Sequence, residues 1–320
     1  MQPIKSLGIA LALAMAQLVP GTAAAQDPST VRLVAPYPAG GPIDVIARVL
    51  ARPLGEELAR PVVVDNRAGA SGTIGAGNVA RSTPDGSVLL LNTSIQVILP
   101  HLMKLPYDTL ADFTPLGQVN SIPFILVVNK DLPFKTVGEL VAFAQQNPGK
   151  LNYASNSSGS ASHLVAEQFK RMAGVSLVHI PYKGSAPAIT DMIGGQVQLM
   201  FEQGPSVSAY LKSGQLRALG VTSLKRSTIV PDVPTFTEAG FPFTYSNWQG
   251  IWAPAGLPPA TAQRLTAAVK AVMARADVRQ RLTELGTEPA TLSGPEFDTF
   301  VKQQYQAVAD IVRTANVKLD

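Results

Sequence analysis

The sequence predicts an α/β protein with two mostly parallel sheets flanked by helices and a helical C-terminal tail. Short apolar runs alternate with segments whose apolar residues recur at helical spacing, which is typical of βαβ units. The chain has 320 residues, more than one domain of about 150 residues needs. Hydrophobic residues make up 46% of it, enough for a large core.

The first 25 residues have the order of a secretory signal peptide. Lys5 is the only charged side chain before Asp27, and an apolar run follows it over residues 7–19. That run is too short to cross a bilayer, and small residues precede a cleavage point after Ala25. We therefore expect a cleavable signal peptide over residues 1–25 and export to the periplasm; a buried N-terminal helix is the alternative.

The mature chain then reads as strand followed by helix, several times over. The strands are predicted from short apolar runs and the helices from apolar residues three or four positions apart. A capping box, Thr136-x-x-Glu139, marks the start of one helix. The predicted strands are 31–35, 62–64, 88–91, 124–128, 151–155, 177–182, 197–201 and 216–221, and the helices are 42–60, 73–81, 136–146, 160–172, 186–193 and 206–212.

The last third of the chain is mainly helical. Helices are predicted over 258–276 and 277–285, and a second capping box, Ser293-x-x-Glu296, predicts the start of a long helix. Two apolar segments, near 121–128 and 243–253, are placed to carry the chain between two lobes. We expect lobe 1 to comprise residues 26–126 and 248–320, and lobe 2 to comprise residues 127–247.

The composition excludes several classes of function. Cysteine is absent, which excludes disulfides, thiolate nucleophiles and iron–sulfur clusters. With three histidines and no metal-ligand motif, neither a metal nor another cofactor is expected. Lys and Arg exceed Asp and Glu by only four without forming a basic run, so no nucleic-acid partner is expected. No mature segment is long and apolar enough to insert stably into a membrane.

A glycine-rich turn after the first strand is the clearest candidate site. Residues 35–44 contain two prolines, 36 and 38, then two glycines and the start of a helix at Pro42. Main-chain amides at a helix N-terminus carry about half a positive charge, and glycine lets a ligand approach them closely. The segment predicts an anion site, with an ordinary βα turn as the alternative.

A second glycine-rich loop, 66–75, leads into a match to the dinucleotide pattern GxGxxA at residues 75–80. Its glycines fall within the predicted helix rather than in the turn before it, and an exported protein lies away from the nicotinamide pool. We therefore reject a dinucleotide site.

Polar loops also follow three later strands. Residues 155–160 are rich in hydroxyls and lead into a helix, Lys183 lies in a glycine turn, and Glu202 ends a strand. A serine hydrolase would need GxSxG, which the chain lacks. His163 and Glu167 are four residues apart, but two ligands do not make a zinc site. No catalytic residue is predicted.

Several segments together resemble the Bug family, also called the TctC-like family, of periplasmic solute-binding proteins. The resemblance covers the mature chain from about Val31 onward, and its motifs are APYPAGGPIDVIAR (35–48), VVVDNRAGASGTIGA (62–76), LPYDTLADFTPLGQV (105–119), NYASNSSGSASHLVAEQFK (152–170), HIPYKGSAPAITDMIGGQVQLMFE (179–202) and GIWAPAGLP (250–258). The family implies a two-lobed type II periplasmic-binding-protein fold that closes like a flytrap on a small carboxylate.

The resemblance also implies a set of ligand-binding residues. They are Tyr37, Ala39, Gly40, Gly41, Asp44, Thr93 and Ser94 in lobe 1 and Ser157, Ser158, Gly159, Ser160, His163, Lys183, Gly184, Ala186 and Glu202 in lobe 2. The sequence departs from the family pattern at Ala70-Ser71, at Asn156-Ser157-Ser158 and at Glu202. These departures leave the ligand open among dicarboxylates, amino acids and aromatic acids.

The predicted function is therefore a solute receptor rather than an enzyme. It would pass its ligand to the integral membrane subunits of a tripartite tricarboxylate-type transporter. Alternatives are a ligand sensor for a two-component system, the binding protein of an ATP-driven importer, and a secreted hydrolase. The resemblance implies a monomer.

Overall fold

A computed structural model describes residues 30–318 of the protein. The predicted signal peptide lies outside the described residues. Within them, no helix combines the length and apolar character needed to cross a membrane.

The described residues form ten strands and ten α-helices. The strands are β1 (Val31–Ala35), β2 (Val62–Asn66), β3 (Val88–Thr93), β4 (Phe113–Asn129), β5 (Asn152–Ser155), β6 (Val178–Pro181), β7 (Leu199–Gln203), β8 (Leu216–Val221), β9 (Ser246–Pro254) and β10 (Glu288–Pro289). The helices are α1 (Pro42–Leu58), α2 (Thr73–Ala80), α3 (Ile95–Ile98), α4 (Val137–Gln146), α5 (Ala161–Ala173), α6 (Ser185–Ile193), α7 (Gly204–Lys212), α8 (Pro259–Ala274), α9 (Ala276–Glu284) and α10 (Pro295–Ala315).

The strands pair into two sheets that share β4. In the first sheet the order is β2-β1-β3-β9-β4-β10, and in the second it is β6-β5-β7-β4-β8. The three-strand sets β2-β1-β3 and β6-β5-β7 are parallel. All the pairings of β4 and β9 are antiparallel. The α/β fold is thus confirmed, but the sheets are mixed rather than mostly parallel, because β4 and β9 run against the strands beside them.

The long strand β4 belongs to both sheets. Its first part, 113–123, pairs with β9, and its last part, 124–129, pairs with β7 and β8. The sequence analysis recognised only 124–128 as a strand. The first part contains Pro115, Gly117 and Pro123, and register shifts interrupt its pairing with β9, so its strand signal is weak.

Each sheet is covered by helices on both faces. In the first sheet Leu33 faces the core formed with α1, α8 and α9, whereas Val34 faces the core formed with α2, α3 and α10. In the second sheet, one core lies against α4 and α5 and the other against α6 and α7. Such alternation along a strand is the pattern that buries both faces of a sheet.

The two predicted capping boxes had different outcomes. The Thr136 hydroxyl accepts a hydrogen bond from the Glu139 N–H at 3.1 Å, so the first prediction is confirmed. The second is wrong: Gly294 precedes α10, and no side chain caps the helix. Pro295 occupies the first helical position, where the missing N–H needs no cap.

Candidate functional site

A cavity of about 310 Å³ lies where the carboxyl ends of strands from both sheets meet. Ligands of α/β proteins bind at this end of the strands, and the volume is at the low end of the roughly 300–1,000 Å³ usual for small-molecule sites. Its lining consists of Tyr37, Ser71, Thr93, Ser94, Ile95, Ile98, Leu99, Phe124, Asn156, Ser157, Ser158, Gly159, Ser160, Ala161, Ser162, Gln203 and Asn247. Larger depressions of about 740 to 890 Å³ lie along the sides of α5, α8 and α10, and one of them is also lined by residues 222–226 after β8.

On the side of the first sheet, a chain of hydrogen bonds fixes Tyr37. Its hydroxyl donates to Asn92 Oδ1 at 3.4 Å, and Asn92 Nδ2 donates to Gln96 Oε1 at 2.8 Å. Burial raises the pKa of Tyr37, an effect that a hydrogen bond with Thr93 opposes. Tyr37 is therefore a neutral phenol at physiological pH.

Ser94 links the end of β3 to β9, the strand by which the chain returns to the first sheet. Its hydroxyl donates to Asn247 Oδ1 at 2.7 Å, and its N–H donates to the Trp248 carbonyl at 2.8 Å. The neighbouring Thr93 hydroxyl accepts from the Ile95 N–H at 3.2 Å at the start of α3. The strand end thus places two hydroxyls on the cavity wall.

On the side of the second sheet, the N-terminus of α5 faces the cavity. The Ser160 hydroxyl caps this helix by accepting from the His163 N–H at 3.3 Å. The first helical hydrogen bond runs from the Leu164 N–H to the Ser160 carbonyl at 3.0 Å. The amides of Ala161 and Ser162, which both line the cavity, have no acceptor among the described residues. Two amide donors in a first helical turn suit a carboxylate.

A buried polar cluster supports the loop before α5. His163 Nδ1 accepts from the Gly159 N–H at 3.1 Å, and the ring of His163 stacks on that of His179 with centroids 3.8 Å apart. The ring of His179 stacks in turn on Tyr153, and its Nε2 lies 2.6 Å from Ser155 Oγ. His163 is therefore behind the loop that lines the cavity and positions it, rather than lining the cavity as predicted.

Glu167 is hydrogen-bonded to Tyr153, the member of this cluster farthest from the cavity loop. It accepts from the Tyr153 hydroxyl at 2.5 Å and from Lys170 Nζ at 2.6 Å. Burial, followed by the hydrogen bond and the charge of Glu167, raises the pKa of Tyr153 well above its usual range. Within the described part of the chain there is no group of side chains that could hold a metal ion.

The first glycine-rich turn is built differently from the anion site predicted there. The Gly40 N–H donates to Asp44 Oδ2 at 2.8 Å, and the Gly41 N–H donates to the Pro38 carbonyl at 3.2 Å. Asp44 is only 2% exposed, and a hydrogen bond from Arg48, then one from Gly40, lower its pKa to about 2. Both glycine amides are thus already hydrogen-bonded, and of the predicted residues in this turn only Tyr37 lines the cavity; Ala39, Gly40, Gly41 and Asp44 do not.

The predicted residues near β6 and β7 also lie outside the cavity lining. Lys183 is exposed, and Ala186 is an exposed residue of α6. Gly184 supports the site, because its N–H donates to the Asn156 carbonyl at 2.8 Å. Glu202 is 2% exposed, and burial raises the pKa of its carboxyl group despite hydrogen bonds that act in the opposite direction.

Several lining residues were not predicted. Asn156 follows β5, Gln203 is the last residue of β7, and Asn247 lies on β9. Ser71 lies in the second glycine-rich loop, where the sequence predicts no dinucleotide site and where Ala70-Ser71 departs from the family pattern. The backbone of Ser71 is left-handed, with φ 54°, a conformation that favours glycine. The glycine-rich sequence around Ser71 was therefore the signal that could have located it.

The rejection of a dinucleotide site agrees with the structure. Gly75 and Gly77 lie inside α2. A Cβ at Gly75 would approach Pro36 Cβ to 2.7 Å, so this glycine allows α2 to pack closely on the first turn.

The serine hydrolase alternative finds no support in the site. The Ser160 hydroxyl donates to the Ser157 carbonyl at 2.7 Å and accepts from the main chain of His163. It is therefore used to shape the start of α5.

Comparison with known protein families shows which family the chain belongs to. The model of the TctC family, described as the tripartite tricarboxylate transporter family receptor, matches residues 46–317. The chain belongs to this family. Its members are periplasmic solute-binding proteins and not enzymes, so this chain is a solute-binding receptor.

Individual relatives agree with this assignment. The receptor is 38% identical over 293 residues to protein BugT of Bordetella pertussis, with 90% of each chain covered. It superposes on R. palustris Rpa4515, solved with adipate, with a TM-score of 0.74 and 34% identity over 91% of this chain and 99% of the other. It also superposes on MatC of Rhodopseudomonas palustris, solved with bound malate, with a TM-score of 0.67 and 31% identity over 88% of this chain and 98% of the other.

Proposed function

We propose that the cavity between the two sheets binds a small carboxylate, which the protein delivers to the membrane subunits of a tripartite transporter. The observation that carries this proposal is the start of α5, where Ala161 and Ser162 line the cavity and their amides have no acceptor among the described residues. Adipate and malate, present in the structures of two relatives, are acids of the expected size.

The hydroxyl groups around the cavity complete a site for such a ligand. The hydroxyls of Ser157 and Thr93 can donate to carboxylate oxygens directly or through water. No cofactor or metal is needed for this binding. Hydroxyls and amides from both sheets converge on one ligand, so the ligand would link the two halves of the molecule.

The two halves would close on the ligand as lobes. We assign residues 26–126 and 248–320 to lobe 1 and residues 127–247 to lobe 2, which would move about β4 and the segment before β9. A closed state only a few kcal/mol above the open one is enough for the ligand to select it. X-ray scattering tests this point: the radius of gyration should fall on ligand addition, and an unchanged value at saturation contradicts closure.

Export to the periplasm by a signal peptide cleaved after Ala25 completes the proposal. The mass of the protein recovered from the periplasm identifies the residue after which the signal peptide is cleaved. Recovery of the full chain from the cytoplasm alone would contradict it.

Binding itself is tested by thermal unfolding of the mature protein, refolded to remove bound ligand, against a panel of carboxylic acids. An acid at about 100 times its Kd adds ~2.7 kcal/mol, which is several degrees for lobes of this size. The primary amide of each acid is the control, because it keeps the shape and lacks the charge. A selective rise in Tm with the acid supports the proposal; equal shifts with acid and amide, or none with any acid, contradict it.

A further inference from the structure

We infer that the Ser71 hydroxyl is a specificity-determining contact of the receptor, made with the end of the ligand that lies away from α5. Ligands whose far end carries an oxygen atom, in a carboxylate or a hydroxyl group, would bind more tightly than ligands whose far end is apolar. The inference rests on the proposed function and adds the residue that distinguishes the second end of the ligand. It comes from the backbone of the turn before α2 and from the side chain at that turn.

The turn before α2 has an unusual backbone. The four consecutive residues 69–72 all have positive φ, and two of them are not glycine: φ is 45° at Ala70 and 54° at Ser71. A left-handed backbone suits glycine and is costly for a residue that has a Cβ. A strained conformation of this kind persists only where the surrounding structure imposes it, and such residues are concentrated at ligand-binding sites.

Hydrogen bonds and packing impose this conformation. The Gly72 N–H donates to the Gly69 carbonyl at 3.0 Å. Thr73 donates to the Ala70 carbonyl with its N–H and also with its hydroxyl, the latter at 2.9 Å. The turn lies against Tyr37, because a Cβ built at Gly72 would be 3.4 Å from the Tyr37 hydroxyl oxygen. The position of the turn at the cavity wall is therefore fixed by contacts within the protein.

The Ser71 side chain is available to a ligand. It lines the cavity, it is exposed, and its hydroxyl has no hydrogen-bond partner among the described residues. Two nearby hydroxyls already donate to protein acceptors, since Tyr37 donates to Asn92 and Ser94 donates to Asn247. The Ser71 hydroxyl can therefore donate to a ligand without breaking a hydrogen bond of the protein.

Ser71 and α5 lie on opposite sides of the cavity. Ser71 follows β2 of the first sheet, whereas Ala161 and Ser162 begin α5, which follows β5 of the second sheet. A ligand whose carboxylate is bound at the start of α5 directs its other end toward the first sheet, where Thr93 and Asn247 also line the cavity. An oxygen atom at that end gains a hydrogen bond from Ser71. A methyl group there gains none and leaves the hydroxyl without a partner when the site closes.

The first experiment is isothermal titration calorimetry of the ligand-free wild-type protein with pairs of acids that differ only in the far end. The pairs are butanoate and succinate, pentanoate and glutarate, hexanoate and adipate, and benzoate and terephthalate. We expect a diacid to bind more tightly than its partner in at least one pair, and that pair is used for the variants. Monoacids that bind at least as tightly in every pair overturn the inference and leave the proposed function intact. Binding of none of these acids also overturns it, and the thermal-unfolding panel then decides whether the proposed function is contradicted as well.

Two variants separate the hydroxyl of Ser71 from the shape of the turn. Ser71→Ala removes the hydroxyl and keeps the Cβ. It should raise the Kd of the diacid about tenfold or more, the value of a hydrogen bond to a charged group, and that of the monoacid less than about twofold. Ala70→Gly is the matched control: it relieves strain at the adjacent left-handed residue, which is outside the cavity lining, and it should leave both Kd values unchanged.

Ser71→Gly guards against misfolding of the first variant. Glycine adopts a φ of 54° without strain, so this variant should fold at least as well as Ser71→Ala and show the same loss of diacid affinity. Wild-type affinity for the diacid in a folded Ser71 variant, or equal losses for diacid and monoacid, overturns the inference. A loss in Ala70→Gly equal to that in Ser71→Ala assigns the effect to the shape of the turn and overturns it too.

Discussion

Replacing Ala161 by proline removes one amide donor from the cavity and leaves the helix otherwise intact. Ala161 is the first residue of α5, a position where proline is favoured because its missing N–H is not used within the helix. The residue before a proline must be extended, and Ser160 already is, with φ −70° and ψ 163°. The first helical hydrogen bond, from Leu164 to the Ser160 carbonyl, does not involve the lost N–H.

The expected loss of affinity follows from the type of hydrogen bond removed. A hydrogen bond to a charged group contributes about 1.5–3 kcal/mol. At about 1.4 kcal/mol for each factor of ten, Ala161→Pro should raise Kd by roughly 10-fold to 150-fold. The free energy of unfolding should change little, because the substitution removes no bond within the protein.

The assay is calorimetric titration of the ligand-free variant with the acid that wild type binds best, together with its thermal unfolding. Ala276→Pro is the matched control, since Ala276 is the exposed first residue of α9 and follows the extended residue Arg275. The control should keep wild-type affinity. A stable Ala161→Pro protein with wild-type Kd would refute the assignment of the carboxylate to the start of α5.

Three further changes probe the elements around the cavity. The pKa of Asp44 falls from 3.8 to about 2 on folding, so the ionised carboxylate stabilises the protein above pH 4, and this stabilisation is lost as the pH drops toward 2. In Asp44→Asn the free energy of unfolding should lack this loss between pH 4 and pH 2. Identical acid-unfolding profiles of the variant and wild type would contradict the role of Asp44. Gly75→Ala should displace Pro36 and lower Tm, and an unchanged Tm would show that α2 can move away. His163→Leu removes the acceptor of the Gly159 N–H and should weaken ligand binding more than it lowers Tm; a drop in Tm with wild-type affinity would make its role purely structural.

Local signals in the sequence located most elements and the loop before α5. Thr136 begins α4 as its spacing with Glu139 predicts, because a cap depends on residues three positions apart. A hydroxyl-rich turn before a helix is visible in the sequence alone, and the family resemblance adds Ser157 and Ser160 within it as predicted ligand-binding residues. Ser293 does not cap α10, because Gly294 stands between it and the first helical residue, and Gly294 is hydrogen-bonded to the distant Leu116 of β4.

The remaining wall of the cavity could not be predicted in this way. Ser94 and Asn247 are 153 positions apart in the chain and are hydrogen-bonded to each other. Neither segment carries a sequence pattern that predicts this contact. From the sequence, Ile95 and Phe124 are expected to be core residues, because an apolar side chain is equally expected in the core and in contact with a ligand.

The sequence by itself determined the alternation of strands and helices, the family motifs and the presence of donor-rich loops at strand ends, because these depend on residues close together in the chain. Only the tertiary structure decided which donors remain available. Asp44 and Pro38 accept from the Gly40 and Gly41 amides of the first turn, whereas Ala161 and Ser162 line the cavity and their amides have no acceptor among the described residues. A hydrogen bond satisfies a donor only when an acceptor lies within about 3 Å, and the backbone and side-chain conformations that decide this distance are set in the folded chain.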